Sequence, residues 1–306
     1  MNQPARPAAA PGPVSPLFAG LCDDAALFPP GNAPVAAAVP AHREHRSAWY
    51  AGLVGPFLVG ADRIAETGAA ADVPGQGPLD VVLVVRAGPD ALADALARLA
   101  ARPALRLTGV ELGPAADGTP AEAAARCRAA LARELPPDVS GVVELRRPAA
   151  GAPDGEGLEP ALDLLAASGY RAKYRTGGLE AAAFPSAAEL AGFITGCAER
   201  SLAFKCTAGL HRAVRYTDLV TGFTHHGFLN ILAATDAALR GQRRQQVARV
   251  LECRDGAELA AALAGADAAA LRSVFTAYGT CSVTEPLEDL AALGLLTDPD
   301  TTLDRA

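Results

Sequence analysis

Lysine is almost missing from this chain. Of 27 basic residues in 306, only Lys173 and Lys205 are lysines. An Arg-for-Lys, Ala-rich style matches GC-rich coding and accounts for the scarcity, though not for where the two lie. Basic residues are also outnumbered, 27 against 34 Asp and Glu. The formal charge of −7 argues against the basic face that nucleic acid or an anionic membrane would need. Cys22, Cys127, Cys197, Cys206, Cys253 and Cys281 form no C-x-x-C pair, which leaves a zinc knuckle or disulfide scaffold without support. No run approaches the roughly 18–20 uncharged apolar residues of a membrane span. The opening MNQPARPAAAPGPVSP lacks the apolar core of a signal peptide. No early G-x-G-x-x-G and no G-x-x-x-x-G-K-[ST] signals a dinucleotide or P-loop site. The expectation is a soluble cytoplasmic protein with no membrane, nucleic-acid or cofactor partner; a homo-oligomer is left open.

What is present is a normal globular balance, 50% hydrophobic and 20% charged, on a chain long enough for a large core. Residues 1–16, rich in Pro and Ala, read as a disordered arm, and 297–306 as a tail. Between them, 17–296, aliphatic runs alternate with Ala/Leu/Arg/Glu stretches of helical spacing. Strands are expected in 17–28, 55–60, 79–88, 105–113, 141–148, 170–178 and 202–211. Helices follow, beginning with 41–53. Later, 226–241 and 256–265 read as helices, QVARVLECR (246–254) as a candidate strand, and 271–283 as the last one. Five strand–helix steps near 30 residues apart imply βαβ units and a parallel sheet. About eight strands favour a single-domain (β/α)8 barrel over an open doubly wound sheet.

Alternation along barrel strands sends one set of side chains inward and the other to the helix layer. Lys173 and Arg175 share parity with Arg171, opposite Tyr170, Ala172 and Tyr174. Lys205 and Thr207 share parity with Ala203, opposite Leu202, Phe204 and Cys206. Glu111 goes with Leu105, Leu107 and Gly109, and Glu144 with Val142 and Arg146. The apolar sets suit the helix layer, so the charged sets should meet inside, near the strand ends where barrels carry active sites. With about 16 such positions available, two randomly placed lysines would both occupy them roughly once in 400.

Two lysines in one barrel suggest amine chemistry. An amine near another cation and away from water has a depressed pKa and attacks carbonyls, giving an iminium that serves as an electron sink for a neighbouring C–C bond. Glu111 or Glu144 could do the acid/base work, and the second lysine could shuttle protons.

The run Lys173-Tyr174-Arg175-Thr176-Gly177-Gly178, a helix containing SAAELAGFI, then Lys205-Cys206-Thr207-Ala208-Gly209 resembles the core of the deoxyribose-phosphate aldolase-like class I aldolases. In that family the sixth barrel strand ends in the Schiff-base lysine and the seventh bears a second lysine. On the present strand count these two are also sixth and seventh. The resemblance implies Lys173 as the Schiff-base residue, Lys205 as its activator and a small polar or anionic carbonyl substrate. It covers about 40 residues. Thr207-Ala208-Gly209-Leu210-His211 departs from the family's Ser-Gly-Gly, and Gly279-Thr280-Cys281-Ser282 is the nearest match to its phosphate loop. No match to the family's acidic partner is found, so Glu111 and Glu144 rest on parity alone.

Further contacts are read around the mouth. Arg146, Arg175, Thr176, Gly177, Gly178 and Thr207 could hold an anionic group through guanidinium and backbone N–H donors. His211 is a proton carrier or anion contact. Asp24, beside Asp23, is a substrate contact, with loop capping as the alternative. His42 and His45 read as a solvated helix face, His225 and His226 as helix-capping or mouth residues, and Trp49-Tyr50 as an anchor. Two other functions remain in view. In one, Asp23, Asp24, Glu111, Glu144 and a histidine hold a divalent metal in a lyase or isomerase. In the other, the mouth binds a small anion without catalysis.

Overall fold

Residues of alternating character form strands wherever both of their faces can be covered, one by helices and one by the strands opposite. The computed structural model of the chain describes residues 14–114, 117–147 and 157–299. Among them, eight parallel strands close into a barrel. They are β1 (Cys22–Asp24), β2 (Val54–Gly60), β3 (Leu79–Val85), β4 (Leu105–Leu112), β5 (Ser140–Glu144), β6 (Arg171–Arg175), β7 (Phe204–Thr207) and β10 (Phe275–Thr280). The short antiparallel pair β8 (Tyr216–Thr217) and β9 (Thr224–His225) interrupts the sequence before β10. The barrel closes where β10 pairs with β1, Cys22 opposite Tyr278 and Asp24 opposite Thr280.

Helices α1 (Val35–Ser47), α2 (Ile64–Ala71), α3 (Leu92–Ala100), α4 (Pro120–Glu134), α5 (Glu159–Ala166) and α6 (Ala187–Glu199) each follow one of the first six strands. α7 (Phe228–Leu239), α8 (Arg244–Glu252), α9 (Gly256–Leu263) and α10 (Ala268–Val274) fill the long connection to β10, and α11 (Thr284–Ala292) follows it. Capping boxes start α4 at Thr119 with Glu122 and α6 at Ser186 with Glu189. The stretch Ala181–Glu199 is long and apolar enough to span a membrane, more than the sequence reading allowed, yet α6 within it buries eight residues, from Ala187 to Cys197.

The main core lies between strands and helices. Val81, Leu83 and Val85 of β3 point there. Tyr174 of β6 stacks on Phe193 of α6 at 4.4 Å, and Phe193 meets Phe204 of β7 edge-on at 5.1 Å. Each such aromatic contributes roughly 1.5–3 kcal/mol by leaving water.

Four expectations need correction. QVARVLECR is not a strand; Val247 and Leu251, four apart, are its buried residues, which is the helical period of α8. The first four residues of 271–283 end α10, the strand beginning only at Phe275, and the helix expected over 41–53 runs instead from Val35 to Ser47. Leu105 and Leu107 do not share a face with Glu111. The register shifts between Val81 and Val82, which pair with Leu107 and Gly109, and this bulge reverses the parity of β4 halfway along. Both leucines therefore pack on the outer core. Of the terminal segments, 1–13 and 300–306 lie outside the described residues; Val14 packs against the core.

Candidate active site

Inside the barrel, strands β4 to β7 and β1 contribute charge. Lys173 Nζ donates to Glu111 Oε2 at 2.7 Å and ion-pairs with Glu144 Oε2 at 2.9 Å. Lys205 Nζ holds the other Glu111 oxygen and Asp23 Oδ2. Arg175 Nη1 lies 3.6 Å from Glu144 Oε1. Register makes this compact, since Lys173 sits directly beside Lys205 on β7 and beside Glu144 on β5. The result is a line of alternating charge, Asp23, Lys205, Glu111, Lys173, Glu144, Arg175. Asp23, Glu111, Lys173 and Lys205 are buried. Such charges are tolerated because each touches an opposite one.

The electrostatics differ from the sequence expectation. Burial favours the neutral form of Glu111, but the two ammonium groups overcome it and hold its carboxyl down to about 2. Burial also disfavours charge on Lys173, yet Glu111 and Glu144 outweigh it and push the ammonium above its ordinary value. Glu144 lies below its ordinary range because Lys173 and Arg175 exceed its burial. Asp23 goes the other way, burial raising it more than Lys205 lowers it. Glu111 stands between Lys173 and the Lys205 amine, and with Glu144 it sets the direction of the Lys173 shift. Lys173 rests as an ammonium.

A cavity of about 590 Å³ opens at the C-terminal strand ends, and Glu111, Lys173, Arg175, Gly178, Thr207 and His211 line it. Lys205 and Glu144 lie off its wall, paired to residues on it. The remaining sequence candidates have other partners. Arg146 Nη1 donates to the Gly118 carbonyl at 2.7 Å, in the loop before α4. The buried Thr176 hydroxyl donates to the Ala208 carbonyl at 2.6 Å. Asp24 accepts from His42 Nδ1 at 2.9 Å and from the Ala26 amide at 3.0 Å, so it ties α1 to β1. Its neighbour Asp23 is the one turned inward. A three-residue strand gives alternation too little length to choose between them.

His211 lines the mouth with Nδ1 3.3 Å from Glu285 Oε2 and 3.6 Å from Cys281 Sγ; burial lowers its pKa. His225, at the end of the β8–β9 hairpin, donates from Nδ1 to the Gly209 carbonyl at 2.9 Å, stacks on Tyr216 and also lines the cavity. His226 is buried on the Pro185 carbonyl at 2.8 Å, its pKa pushed down to about 4 by burial. His45 bonds Tyr50 Oη at 2.9 Å. Among the described residues no group of three or more His, Cys, Asp or Glu is arranged to hold a metal ion; Asp23, Glu111 and Glu144 are separated by the lysine amines.

Gly177 packs where the loops after β6 and β7 cross, and a Cβ there would lie 2.9 Å from the Gly209 Cα. Backbone cannot yield as a side-chain tip can, so Gly177→Ala should cost about 1–3 kcal/mol. A thermal melt within a degree of the parent would show that these loops part freely.

The fold and the site define a (β/α)8 barrel with a charged interior and a lysine on its cavity wall. In comparisons with models of known protein families, with curated proteins and with solved structures, nothing matches the chain.

Proposed function

We propose that the chain is a lyase of class I aldolase type, making or breaking a C–C bond through an iminium on Lys173. The observation that carries this reading is the position of Lys173, on the cavity wall and between Glu111 and Glu144, with Lys205 on the far side of the same Glu111. The likeness of the β6 and β7 segments to Schiff-base aldolases supports it.

The steps follow from the charges. Lys173 first loses a proton to solvent by way of Glu111 or Glu144. Its Nζ then attacks the carbonyl carbon, the C=O pair becomes an alkoxide, and the same carboxylate carries a proton from the new N–H to that oxygen. Loss of the oxygen as water, with one proton regained from solvent through the relay, leaves a C=N⁺ bond. The iminium keeps the positive charge of the ammonium, so Glu111 and Glu144 stabilise it as they stabilise the resting lysine. A relay carboxylate takes the proton from the hydroxyl on the far carbon, and that O–H pair forms the departing carbonyl. The scissile C–C pair moves toward the nitrogen to leave an enamine, which takes a proton at carbon before water releases Lys173. The reverse sequence forms the bond. Lys205 keeps Glu111 anionic between proton transfers. The reading calls for no cofactor.

The free amine is the reactive form. With the Lys173 pKa above its ordinary value, trapping at low substrate should rise about tenfold per pH unit across pH 6–9. Glu144→Gln removes one of the two carboxylates that hold the proton, so the same curve should move to lower pH. A curve that stays in place would remove Glu144 from the relay. The direct test is borohydride reduction with a panel of aldehydes and ketones, followed by peptide mass mapping. The substrate's reduced mass is expected on the Lys173 peptide, and no adduct with any carbonyl at pH 9 would sink the proposal.

A further inference from the structure

We infer that the substrate carries an aliphatic or aromatic body next to its carbonyl, seated on an apolar wall inside the barrel. The inference rests on the Schiff-base reading for the carbonyl and on separate observations for the body. The barrel interior is divided. Facing the charged strands, Ala25, Leu58, Val82 and Val84 form an apolar cluster of their own, apart from the main core, with Phe28 packed on it. Ala25, Phe28, Leu58 and Val84 line the same cavity as Lys173.

Gly279 of β10 stands between the two walls. A Cβ there would lie 3.4 Å from Leu58 Cδ1 and 3.5 Å from Thr207 Oγ1. The glycine thus leaves open the floor along which a ligand reaches from the apolar wall toward the charged one. A polyhydroxylated substrate laid there would lose water from its hydroxyls and find no partner on Leu58 or Val84, whereas methylenes gain from leaving water.

The loop after β10 also fails to offer a phosphate seat. The Thr280 hydroxyl donates to the Ser282 carbonyl at 2.8 Å, and the Ser282 hydroxyl accepts from the Glu285 amide at 3.3 Å. Those groups are spent within the loop, and Glu285 adds a carboxylate to the cavity lining. That carboxylate disfavours a phosphate at this loop. The arginines of the lining are engaged elsewhere, Arg175 with Glu144, Arg212 with Asp289 and Arg86 over the Phe28 ring.

The test compares rates of cyanoborohydride trapping at Lys173 for ethanal, butanal, hexanal, glyceraldehyde and glyceraldehyde 3-phosphate. Rates should rise by up to about fourfold for each methylene buried. Glyceraldehyde should fall below butanal, with no gain from its phosphate. Gly279→Val fills the floor, so the hexanal-to-ethanal ratio should fall toward one. Gly279→Ala, whose added methyl makes only ordinary contacts, should lower the ratio less and serves if the valine variant does not fold. Binding of 1-hexanol, followed by saturation-transfer NMR, reports on the wall without any carbonyl and should be lost in Gly279→Val. Faster trapping of glyceraldehyde or its phosphate than of butanal would overturn the inference while leaving the Schiff base intact. Hexanol binding that Gly279→Val abolishes, with no aldehyde trapped, would support the apolar seat and retire the Schiff base. Failure of both trapping and hexanol binding would overturn both.

Discussion

Lys173→Arg should lower turnover at least about 10³-fold and abolish borohydride labelling at position 173, with the melting temperature close to that of the parent. Arginine keeps the positive charge and can pair with Glu111 and Glu144, so the buried line of charge survives. Its guanidinium stays protonated at any working pH and forms no iminium. Lys205→Arg separates the two lysine roles. That residue touches Asp23 and Glu111 but does not line the cavity, so labelling should persist at Lys173, slowed by about 10–100-fold as the relay is disturbed. The assay reads cleanly because the chain has only two side-chain amines. Label on Lys205 instead would exchange the roles of the two lysines, and Lys173→Arg protein that takes up no label and still turns over would refute the mechanism.

Much of the barrel was legible in the sequence because its strands carry two superimposed signals, an apolar set for the helix layer and a charged set for the interior. Lys173 and Lys205 were found this way, since Tyr174, Phe204 and Cys206 mark the outer face unambiguously. Where one signal failed, so did the reading. In β4 the bulge opposite Val81 and Val82 reverses parity, and Glu111 was grouped with leucines that face the other way. Glu111 still points inward because the C-terminal half of β4 keeps its own alternation, Val110 and Leu112 going outward. In β1 the pair Asp23-Asp24 offered two carboxylates and no flanking pattern, and only the partners, Lys205 for one and His42 for the other, distinguish them. The order of charge along the line was beyond sequence for a different reason. Parity says which residues meet but not which oxygen stands between which amines, and that placement turns an expected low lysine pKa into a raised one.

Glu111→Gln should be the most destabilising single change in the site, by about 3–5 kcal/mol near neutral pH, because it leaves two buried ammonium groups facing a neutral amide. The pH dependence tests the cause. In the folded protein the Glu111 carboxyl lies at about 2, against an ordinary 4.5. A depressed carboxylate pKa contributes stability that is complete above the unfolded value and lost as pH falls through the folded one; here the gap corresponds to about 3 kcal/mol. The parent should therefore lose this contribution between about pH 4.5 and 2, whereas glutamine has no proton to take up. Denaturant titrations across that range should show the two stabilities converging as the parent's Glu111 is neutralised. A difference that stays constant down to pH 2 would mean that the glutamine acts through shape or packing and that the charges on Lys173 and Lys205 do not depend on Glu111. Convergence would tie the resting ammonium state of Lys173 to the same carboxylate proposed to take up its proton.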